Sequence, residues 1–233
     1  MKSASSLLVM FLLALLVSCS GGSNDLDRNG LKGKVRAIRE FQCNATYEGE
    51  KWVADIECAN GFRVTEYNTD GLYVQAYHLS DCGDTTSLST ARRENGEVVE
   101  ETNYNRVNLT PKHSKMVMAS RTMMDRVSAD QVNFEVWQNE QLRFEGTTYY
   151  DSKGRTVRQV QVVNNREIIV HHVYEKNLLV EMYQEELDGT RSATQLYDYS
   201  EFDEQGNWTL RLVYNGDEKI TPEFAITRVL EYD

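Results

Sequence analysis

The side chains that most often perform acid–base or metal chemistry are few in this chain. Its histidines are His78, His113, His171 and His172. Adjacent strand residues point to opposite faces, so His171 and His172 cannot bind one metal ion from a regular strand. The sequence has no His-x-x-x-His or Cys-x-x-Cys spacing, no Gly-x-Ser-x-Gly turn and no phosphate-binding loop. We therefore predict no metal, no cofactor and no catalytic residues.

Carboxylates, in contrast, are abundant and clustered. Two carboxylates held about 5–10 Å apart can hydrolyse a glycoside. Charge runs at hairpin ends are more typical of solvated surfaces that also protect sheet edges, and we favour this interpretation. The runs are Glu94, Glu97, Glu100 and Glu101; Glu185, Glu186 and Asp188; and Asp198, Glu201, Asp203 and Glu204.

Four aromatic residues near the C-terminus are candidate binding residues: Tyr197, Tyr199, Trp208 and Tyr214. On an exposed sheet they would stack on sugars or anchor a protein partner. An antiparallel sheet must bury one face, however, and aromatic residues in strands usually supply that core. We favour the core interpretation and keep the binding surface as the alternative.

Three cysteines lie beyond the N-terminal region, at Cys43, Cys58 and Cys82. If Thr69-Asp70-Gly71 is a three-residue hairpin loop, Cys58 and Cys82 lie opposite each other across that hairpin, within disulfide reach. We predict this disulfide, because the chain begins with an uncharged apolar run typical of an export signal and exported proteins fold in an oxidising compartment. A Cys43–Cys58 bond across a turn at Gly49-Glu50 and three unpaired thiols remain alternatives.

Composition bounds the class of protein. The chain has 233 residues, is 40% apolar, and carries 25 basic and 36 acidic side chains for a formal charge of −11. That apolar fraction indicates a packed fold, and the length suits a single domain. The acidic excess argues against nucleic acid as a partner, because phosphate binding relies on lysine and arginine.

The N-terminus has the pattern of an export signal. Lys2 is followed by an uncharged run of eleven residues, Leu7 to Val17. A helix needs about 20 apolar residues to cross a bilayer, so this run is typical of a signal-peptide core. We therefore assign residues 1–18 to a signal peptide.

The residues that follow this run, Leu16-Val17-Ser18-Cys19, resemble the lipobox of bacterial lipoproteins. The resemblance implies that Cys19 is acylated and becomes the first residue of the mature chain. The residue after this cysteine is Ser20 and not Asp, which by resemblance to lipoprotein sorting in Gram-negative bacteria permits transfer to the outer membrane. The resemblance therefore implies a lipid anchor in the outer membrane, with the domain facing the periplasm or the outside. Residues 19–33 begin with a Gly/Ser-rich stretch and are predicted to be a flexible tether. Residues 34–233 then form one domain.

A recurring turn organises this domain. Its three copies share an aromatic residue, then Asp or Asn, two polar residues and Gly. The Asp or Asn can accept hydrogen bonds from the turning backbone, and Gly takes the left-handed position of a hairpin bulge. The copies are Tyr67-Asn68-Thr69-Asp70-Gly71, Tyr150-Asp151-Ser152-Lys153-Gly154 and Phe202-Asp203-Glu204-Gln205-Gly206.

Between the turns, apolar residues recur with a period of two. The run Trp208, Leu210, Leu212 and Tyr214 is one example, and Phe224, Ile226, Arg228, Leu230 and Tyr232 form another. Such runs between turn signals predict strands. We predict an all-β fold, an antiparallel meander of hairpins that forms one large, twisted, open sheet.

The Tyr-Asp-x-x-Gly pattern with flanking strands resembles the YD repeat of RHS-type proteins, best over residues 144–233. The third copy also resembles degenerate YD-like lipoproteins of gut-type Gram-negative bacteria. This resemblance implies an open sheet of successive hairpins, no defined activity, and motif residues that shape turns.

One segment departs from this pattern. Thr110-Pro111 could begin a helix, and Met116, Ser120, Met123 and Val127 follow helical spacing. A short helix or irregular segment over residues 111–130 is therefore one interpretation. A strand remains the alternative, because Met116, Met118, Ser120, Thr122 and Met124 alternate equally well.

Two functional hypotheses follow. The first is a membrane-anchored, non-catalytic β-repeat lipoprotein that is structural or binds an envelope protein or a glycan. The second is a ligand carrier, or a carboxylate-dependent hydrolase, built on a concave sheet.

Overall fold

The computed structural model describes residues 24–58, 61–110, 113–186 and 188–233, with the side chains of Cys58, Leu109 and Ala193 excepted. The predicted signal peptide and Cys19 lie outside these residues. A four-residue helix, α1 (Asp25–Arg28), and a 3-10 turn (Ile56–Cys58) accompany fifteen strands. The strands are β1 (Val35–Glu48), β2 (Lys51–Asp55), β3 (Phe62–Tyr67), β4 (Tyr73–Leu79), β5 (Thr85–Glu94), β6 (Glu97–Thr110), β7 (His113–Ser128), β8 (Gln131–Gln138), β9 (Gln141–Tyr150), β10 (Thr156–Val163), β11 (Arg166–Glu175), β12 (Leu178–Glu185), β13 (Arg191–Phe202), β14 (Trp208–Asn215) and β15 (Phe224–Tyr232).

The sheet closes on itself. Strands β3 to β15 pair antiparallel in chain order, β1 pairs with β3, and β15 pairs back onto β1, for example at Ile38–Leu230 and Cys43–Ala225. The described residues therefore form a closed barrel of 14 strands, with β2 paired to the second half of β1. The all-β, antiparallel prediction is confirmed, but the open sheet is wrong. Closure depends on strands far apart in sequence, and local alternation does not report it.

Strand β7 resolves the ambiguous segment. Residues His113–Ser128 form a strand that pairs along its length with β6, with Met116 opposite Arg106 and Met123 opposite Glu100. The helix interpretation of residues 111–130 is therefore wrong for the part that the structure describes, and Pro111 lies outside it. The period-two pattern of this segment is the correct one. A strand here forms hydrogen bonds with the backbone N–H and C=O groups on the free edge of β6, which a helix would leave without partners.

The two faces of the barrel wall differ in burial. The inward face holds three apolar clusters, which lie around Phe134, Val213 and Ile38. Polar side chains between these clusters bond to one another, as where Gln161 Nε2 donates to Gln159 Oε1 at 3.0 Å. Burial of each large apolar side chain contributes roughly 1.5–3 kcal/mol. The core therefore lies inside the barrel, and it includes a polar component.

The outward face carries charge. Arg92 pairs with Glu100 at 3.1 Å and Arg191 pairs with Glu181 at 2.7 Å, each across neighbouring strands. Membrane-spanning barrels present an apolar band to lipid, where charged side chains cost several kcal/mol. The outward face of this barrel carries these ion pairs together with exposed apolar side chains such as Val173 and Val229. One part of it is covered, because the β1–β2 hairpin packs Trp52 and Ala54 over Leu212 and Ala225.

The segment before β1 is folded. Residues 24–33 contain α1 and pack Leu26 and Leu31 into the cluster around Ile38, leaving these leucines 5% and 6% exposed. The prediction of a flexible tether is therefore wrong from Asn24 onward. The segment is polar in composition apart from Leu26 and Leu31, and these two side chains bury it against the barrel. The folded domain therefore begins about ten residues earlier than we predicted. Residues 19–23 lie outside the described part of the chain.

Gly146 is expected to be essential for packing of the inward face. It lies opposite Phe134 on β8, and a Cβ at this position would overlap the Val160 carbonyl oxygen and lie 2.6 Å from Phe134 Cζ. We expect Gly146→Ala to lower the free energy of unfolding by about 1–3 kcal/mol through overpacking. Thermal melting followed by circular dichroism measures this loss. An unchanged midpoint would show that the wall is looser than this contact implies.

Candidate functional site

The three motif turns have one geometry. Asn68 Oδ1 accepts hydrogen bonds from the backbone N–H groups of Asp70 and Leu72, at 3.0 and 2.9 Å. Asp151 and Asp203 accept from the equivalent positions of their own turns. The turn glycines Gly71, Gly154 and Gly206 have φ of 73°, 76° and 79°. The structure thus places the Asn, Asp and Gly residues of the motif in hairpin turns.

These turns also meet. They lie at one end of the barrel, which we call the closed end, and all three contact residues 24–33, which we call the N-terminal segment. The backbone N–H of Leu26 donates to the Gly71 carbonyl at 3.2 Å, and the Arg28 side chain packs against Gly154. Lys32 Nζ donates to the Gly206 carbonyl at 3.2 Å. The glycines therefore serve close approach as well as turning.

Asn207 makes the most specific of these contacts. Its Oδ1 accepts from the backbone N–H of Lys32 at 2.7 Å, and its Nδ2 donates to the Lys32 carbonyl at 2.9 Å. The amide thus pairs with Lys32 as a neighbouring strand would. The same Nδ2 lies 2.7 Å from Tyr232 Oη, which in turn donates to Asp203.

Asp25 fixes the other end of the N-terminal segment. Its side chain is almost fully buried, accepts from the Tyr73 backbone N–H at 2.7 Å, and pairs with Arg28 at 3.3 Å and with Arg93. A buried carboxylate is tolerated only when several donors satisfy it, as here. Together with Leu26 and Leu31, this network covers the closed end.

Charged side chains line the inward face at mid-height. Glu40 on β1 lies directly between Arg228 on β15 and Arg63 on β3, and His78 on β4 lies beside Arg63. Arg211 on β14 points to the same face, because it pairs with Ile226 of the inward cluster. We call Arg63, Arg211 and Arg228 the lumen arginines.

The lumen arginines make different contacts. Arg228 Nε donates to Glu40 Oε1 at 2.8 Å, and its guanidinium lies 3.5 Å from the Trp208 ring centroid. Arg211 lies over the same ring at 4.8 Å and over the Tyr197 ring at 5.0 Å. The Nε atoms of Arg63 and Arg211 are buried without a hydrogen-bond partner among the described residues. Such orphaned donors inside a protein are costly.

Titration behaviour reflects this crowding of positive charge. Burial would raise the pKa of Glu40, but Arg228, Arg211 and Arg63 outweigh it, so this pKa lies below its ordinary value. Burial, together with Arg211, lowers the pKa of Arg228 despite its pairing with Glu40. Desolvation and the Arg63 charge also lower the pKa of His78. The site therefore favours negative charge and disfavours further positive charge.

The end opposite the closed end is accessible. Gln42, His78 and Asn105 point inward by their register, and yet all three are exposed. Inward-facing residues can be exposed only where solvent enters the barrel. We call this the open end, and it gives access to the lumen arginines.

Glu101 is a second unusual carboxyl group on the inward face. It is 6% exposed, and its Oε2 is buried without a hydrogen-bond partner in the described part of the chain. Burial raises its pKa to about 7, although Arg63 and Asn103 act in the opposite direction. Glu101 is therefore partly protonated at neutral pH.

The candidate binding aromatics do not form an exposed surface. Tyr197 and Trp208 belong to the inward cluster around Val213, with Tyr199 packed against it. Tyr214 lies on the outward face beneath the β1–β2 hairpin. The four side chains therefore lie in the core of the wall, because both faces of this part of the wall are covered. The motif aromatics Tyr67 and Tyr150 are also buried, whereas Phe202 is exposed.

The disulfide prediction fails on register. Tyr67 pairs with Tyr73 as predicted, but a bulge follows, so that Arg63 lies opposite His78 and the ladder ends at Phe62–Leu79. Cys82 is an exposed free thiol and Cys43 is a buried one. The 3-10 turn Ile56–Cys58 lies beyond the end of this ladder, so no strand register places Cys58 opposite Cys82. The Cys58 side chain lies outside the described residues.

The lumen arginines were not predicted from the sequence, although a signal for Arg228 was present. Arg228 occupies an apolar position in the run from Phe224 to Tyr232, and so it had to share a face with Ile226 and Leu230. A charged residue at a position where the period-two alternation of a strand places buried apolar residues is expected to be buried as well. Among the described residues, no group of three or more His, Cys, Asp or Glu side chains could hold a metal ion.

No known family model and no curated protein matches this chain. Two solved structures have a partial likeness to it. A porin-like protein from Bacteroides vulgatus is 12% identical over 85% of this chain and 98% of its own, with a TM-score of 0.47. A porin-like protein from Bacteroides uniformis is 10% identical over 86% of this chain and 99% of its own, with a TM-score of 0.32. Likeness at this level carries no functional argument.

Removal of the Asn207 amide should release the N-terminal segment. We expect Asn207→Ala to lower the free energy of unfolding by about 1–3 kcal/mol, because two backbone groups of Lys32 lose their partner. Amide hydrogen exchange should accelerate across residues 24–33 in particular. Asn133→Ala is the matched control, since Asn133 accepts from Thr147 on the outward face at 2.9 Å. Equal acceleration in both variants would contradict the role of Asn207.

Glu101 should give stability a recognisable pH dependence. Its folded-state pKa is raised from 4.5 to about 7, so the unfolded chain ionises first as pH rises through this window and the free energy of unfolding falls. Glu101→Gln should therefore gain about 2–3 kcal/mol over the native protein at pH 8 and little at pH 5. Denaturant unfolding at both pH values measures this gain.

The matched control is Glu100→Gln, because Glu100 is the adjacent residue on the outward face and pairs with Arg92. It should show no gain at pH 8. A Glu101→Gln effect of the same size at both pH values would show that Glu101 is ionised throughout.

Proposed function

We propose that this protein is a lipid-anchored, non-catalytic binding protein of the cell envelope, held to a membrane by acyl chains on Cys19. The proposal follows from the lipobox-like sequence at Leu16 to Cys19. The observation that carries it is the docking of residues 24–33 onto the closed end. An anchor at Cys19 precedes this docked segment by a few residues, so attachment to lipid would leave the open end free.

Chain length limits the distance from the membrane. Five peptide units separate Cys19 from Asn24, which is the N-cap of α1. At about 3.5 Å per residue they reach about 18 Å at most. The closed end would therefore stay near the lipid surface, and the open end would face away from it. Two or more acyl chains suffice for stable anchoring of this kind.

The outward face of the barrel supports attachment rather than insertion. Its ion pairs, such as Arg191–Glu181, are suited to water. No helix in the described ranges has the length and apolar character needed to span a bilayer. In this proposal the acyl chains on Cys19 supply the membrane affinity.

The inward face supports binding over hydrolysis. A glycoside hydrolase needs two carboxylates that both reach the substrate. Glu40 is held by Arg228, and Glu101 is 6% exposed. Arg63 and Arg211, in contrast, each have a buried Nε donor without a partner among the described residues, which suits recognition of a ligand. The relation of the motif turns to YD repeats stays a prediction.

The experiment compares Cys19→Ser with the native chain, each expressed with its own leader in a Gram-negative host. We expect the native chain to incorporate labelled palmitate and to sediment with membranes, and Cys19→Ser to do neither. Cys82→Ser is the matched control, because Cys82 is an exposed thiol elsewhere in the chain, and it should behave as native. A native chain without label, or a Cys19→Ser chain that stays on membranes, would refute the anchor.

A further inference from the structure

We propose that the lumen arginines form a binding site for a small oxyanion, the carboxylate or phosphate group of a ligand that enters through the open end, with Arg63 and Arg211 as its main donors. The site deepens the proposed binding function and rests on it for its biological setting. Its chemistry, however, is a property of the barrel and is independent of the lipid anchor.

The charges at this site do not balance. Three guanidinium groups, which stay protonated in proteins, share the neighbourhood of Glu40. Arg228 uses that carboxylate at 2.8 Å. Glu101 acts on Arg63 from a distance and is itself partly protonated at neutral pH. The whole chain has a formal charge of −11, so this positive cluster runs against its overall charge. An uncompensated buried charge is strongly unfavourable, and an anion would compensate it.

The orientation of the guanidinium groups suits an oxyanion. The Arg211 guanidinium carbon lies 4.8 Å from the Trp208 ring centroid and 5.0 Å from the Tyr197 ring centroid, and aromatic contacts of this kind use none of the N–H donors of arginine as hydrogen bonds to an acceptor atom. The Nε atoms of Arg211 and Arg63 are among the donors without a partner. The fork of N–H donors on arginine matches the planar edge of a carboxylate or phosphate, which it can hold with two hydrogen bonds.

Strands β3 and β14, which lie on either side of the β1–β15 pair, bring these donors together. Arg63 on β3 and Arg211 on β14 flank the Glu40–Arg228 pair, and both are near enough to act on the Glu40 carboxylate. An anion between them would therefore meet positive charge from both sides. Gln42 and His78, which are exposed on the same face toward the open end, mark the route of entry. A closed wall around the site restricts the ligand to a small molecule.

The test is a titration of the native chain, purified in detergent from the Gram-negative host that exports it, with inorganic phosphate and, separately, with succinate. Binding is followed by isothermal titration calorimetry and by the fluorescence of Trp208, which lies beneath two lumen arginines. Potassium chloride at matched ionic strength controls for screening. We expect saturable binding of at least one of the two anions and a melting temperature that rises with its concentration. The anion that binds more tightly defines the ligand class.

Variants separate a binding role from a structural one. Arg211→Gln should weaken anion binding by at least about tenfold and should melt at or above the native temperature in anion-free buffer, because it removes an uncompensated charge. Arg63→Gln is the second variant, and we expect the same two effects from it. It provides the test if Arg211→Gln does not fold. Arg158→Gln is the matched control, since Arg158 lies over Tyr149 on the outward face, and it should bind as native.

Three results would overturn the proposal. The first is the absence of saturable binding of both phosphate and succinate. The second is an equal response to potassium chloride, and the third is unchanged affinity in Arg211→Gln and Arg63→Gln. Loss of membrane attachment in Cys19→Ser leaves these titrations unaffected, so failure of the anion site and failure of the lipid anchor are distinguishable.

Discussion

Pairing of β1 with β15, from Val35 opposite Tyr232 to Cys43 opposite Ala225, converts a sheet of successive hairpins into a barrel. Without this contact, β1 and β15 would each present a row of unpaired backbone groups to solvent. With it, the wall has a defined inside, and each inward side chain is placed by register. The burial of the apolar clusters, the covered closed end and the lumen arginines all depend on this one seam.

Closure at this strand number also creates a problem of volume. Barrels of eight strands are just filled by their own side chains, and wider ones enclose space. The two ends of this barrel differ in how far side chains fill the interior. At the closed end, Leu26, Leu31 and the Asp25 network fill the opening. Toward the open end, inward-facing polar residues such as His78 are exposed instead. The exposure of these inward-facing residues shows that solvent reaches the inside of the barrel at this end.

The sequence predicted what is local. The Asx turns at Asn68, Asp151 and Asp203 follow from their own residues, because side chain, backbone and glycine act within five positions. The structure also has turns that we did not single out, such as Asn164-Asn165, where both residues have positive φ. Asparagine pairs of this kind are a recognised hairpin signal. Long strands with period-two patterning were equally predictable.

Non-local features were not predictable in this way. One bulge between Glu66 and Tyr67 changes the register that the disulfide prediction needed, and no residue type announces it. The folded state of residues 24–33 depends on pairing of Lys32 with Asn207, which is 175 positions away. The closed end could not be derived from a segment whose own composition is that of a linker. Arg228 was the exception, because its phase within β15 already marked it as buried.

The location of the lumen arginines on the seam has a physical consequence. Glu40 and Arg228 are 188 positions apart, and they meet because β1 lies beside β15. A slip of one residue at this seam would turn Arg228 to the outward face and leave Glu40 buried without its partner. Buried ion pairs add little stability, but they penalise wrong registers strongly. The Glu40–Arg228 pair therefore specifies the register of closure. Arg63 and Arg211 lie on the strands that flank this seam, so the three lumen arginines lie together only in the closed barrel.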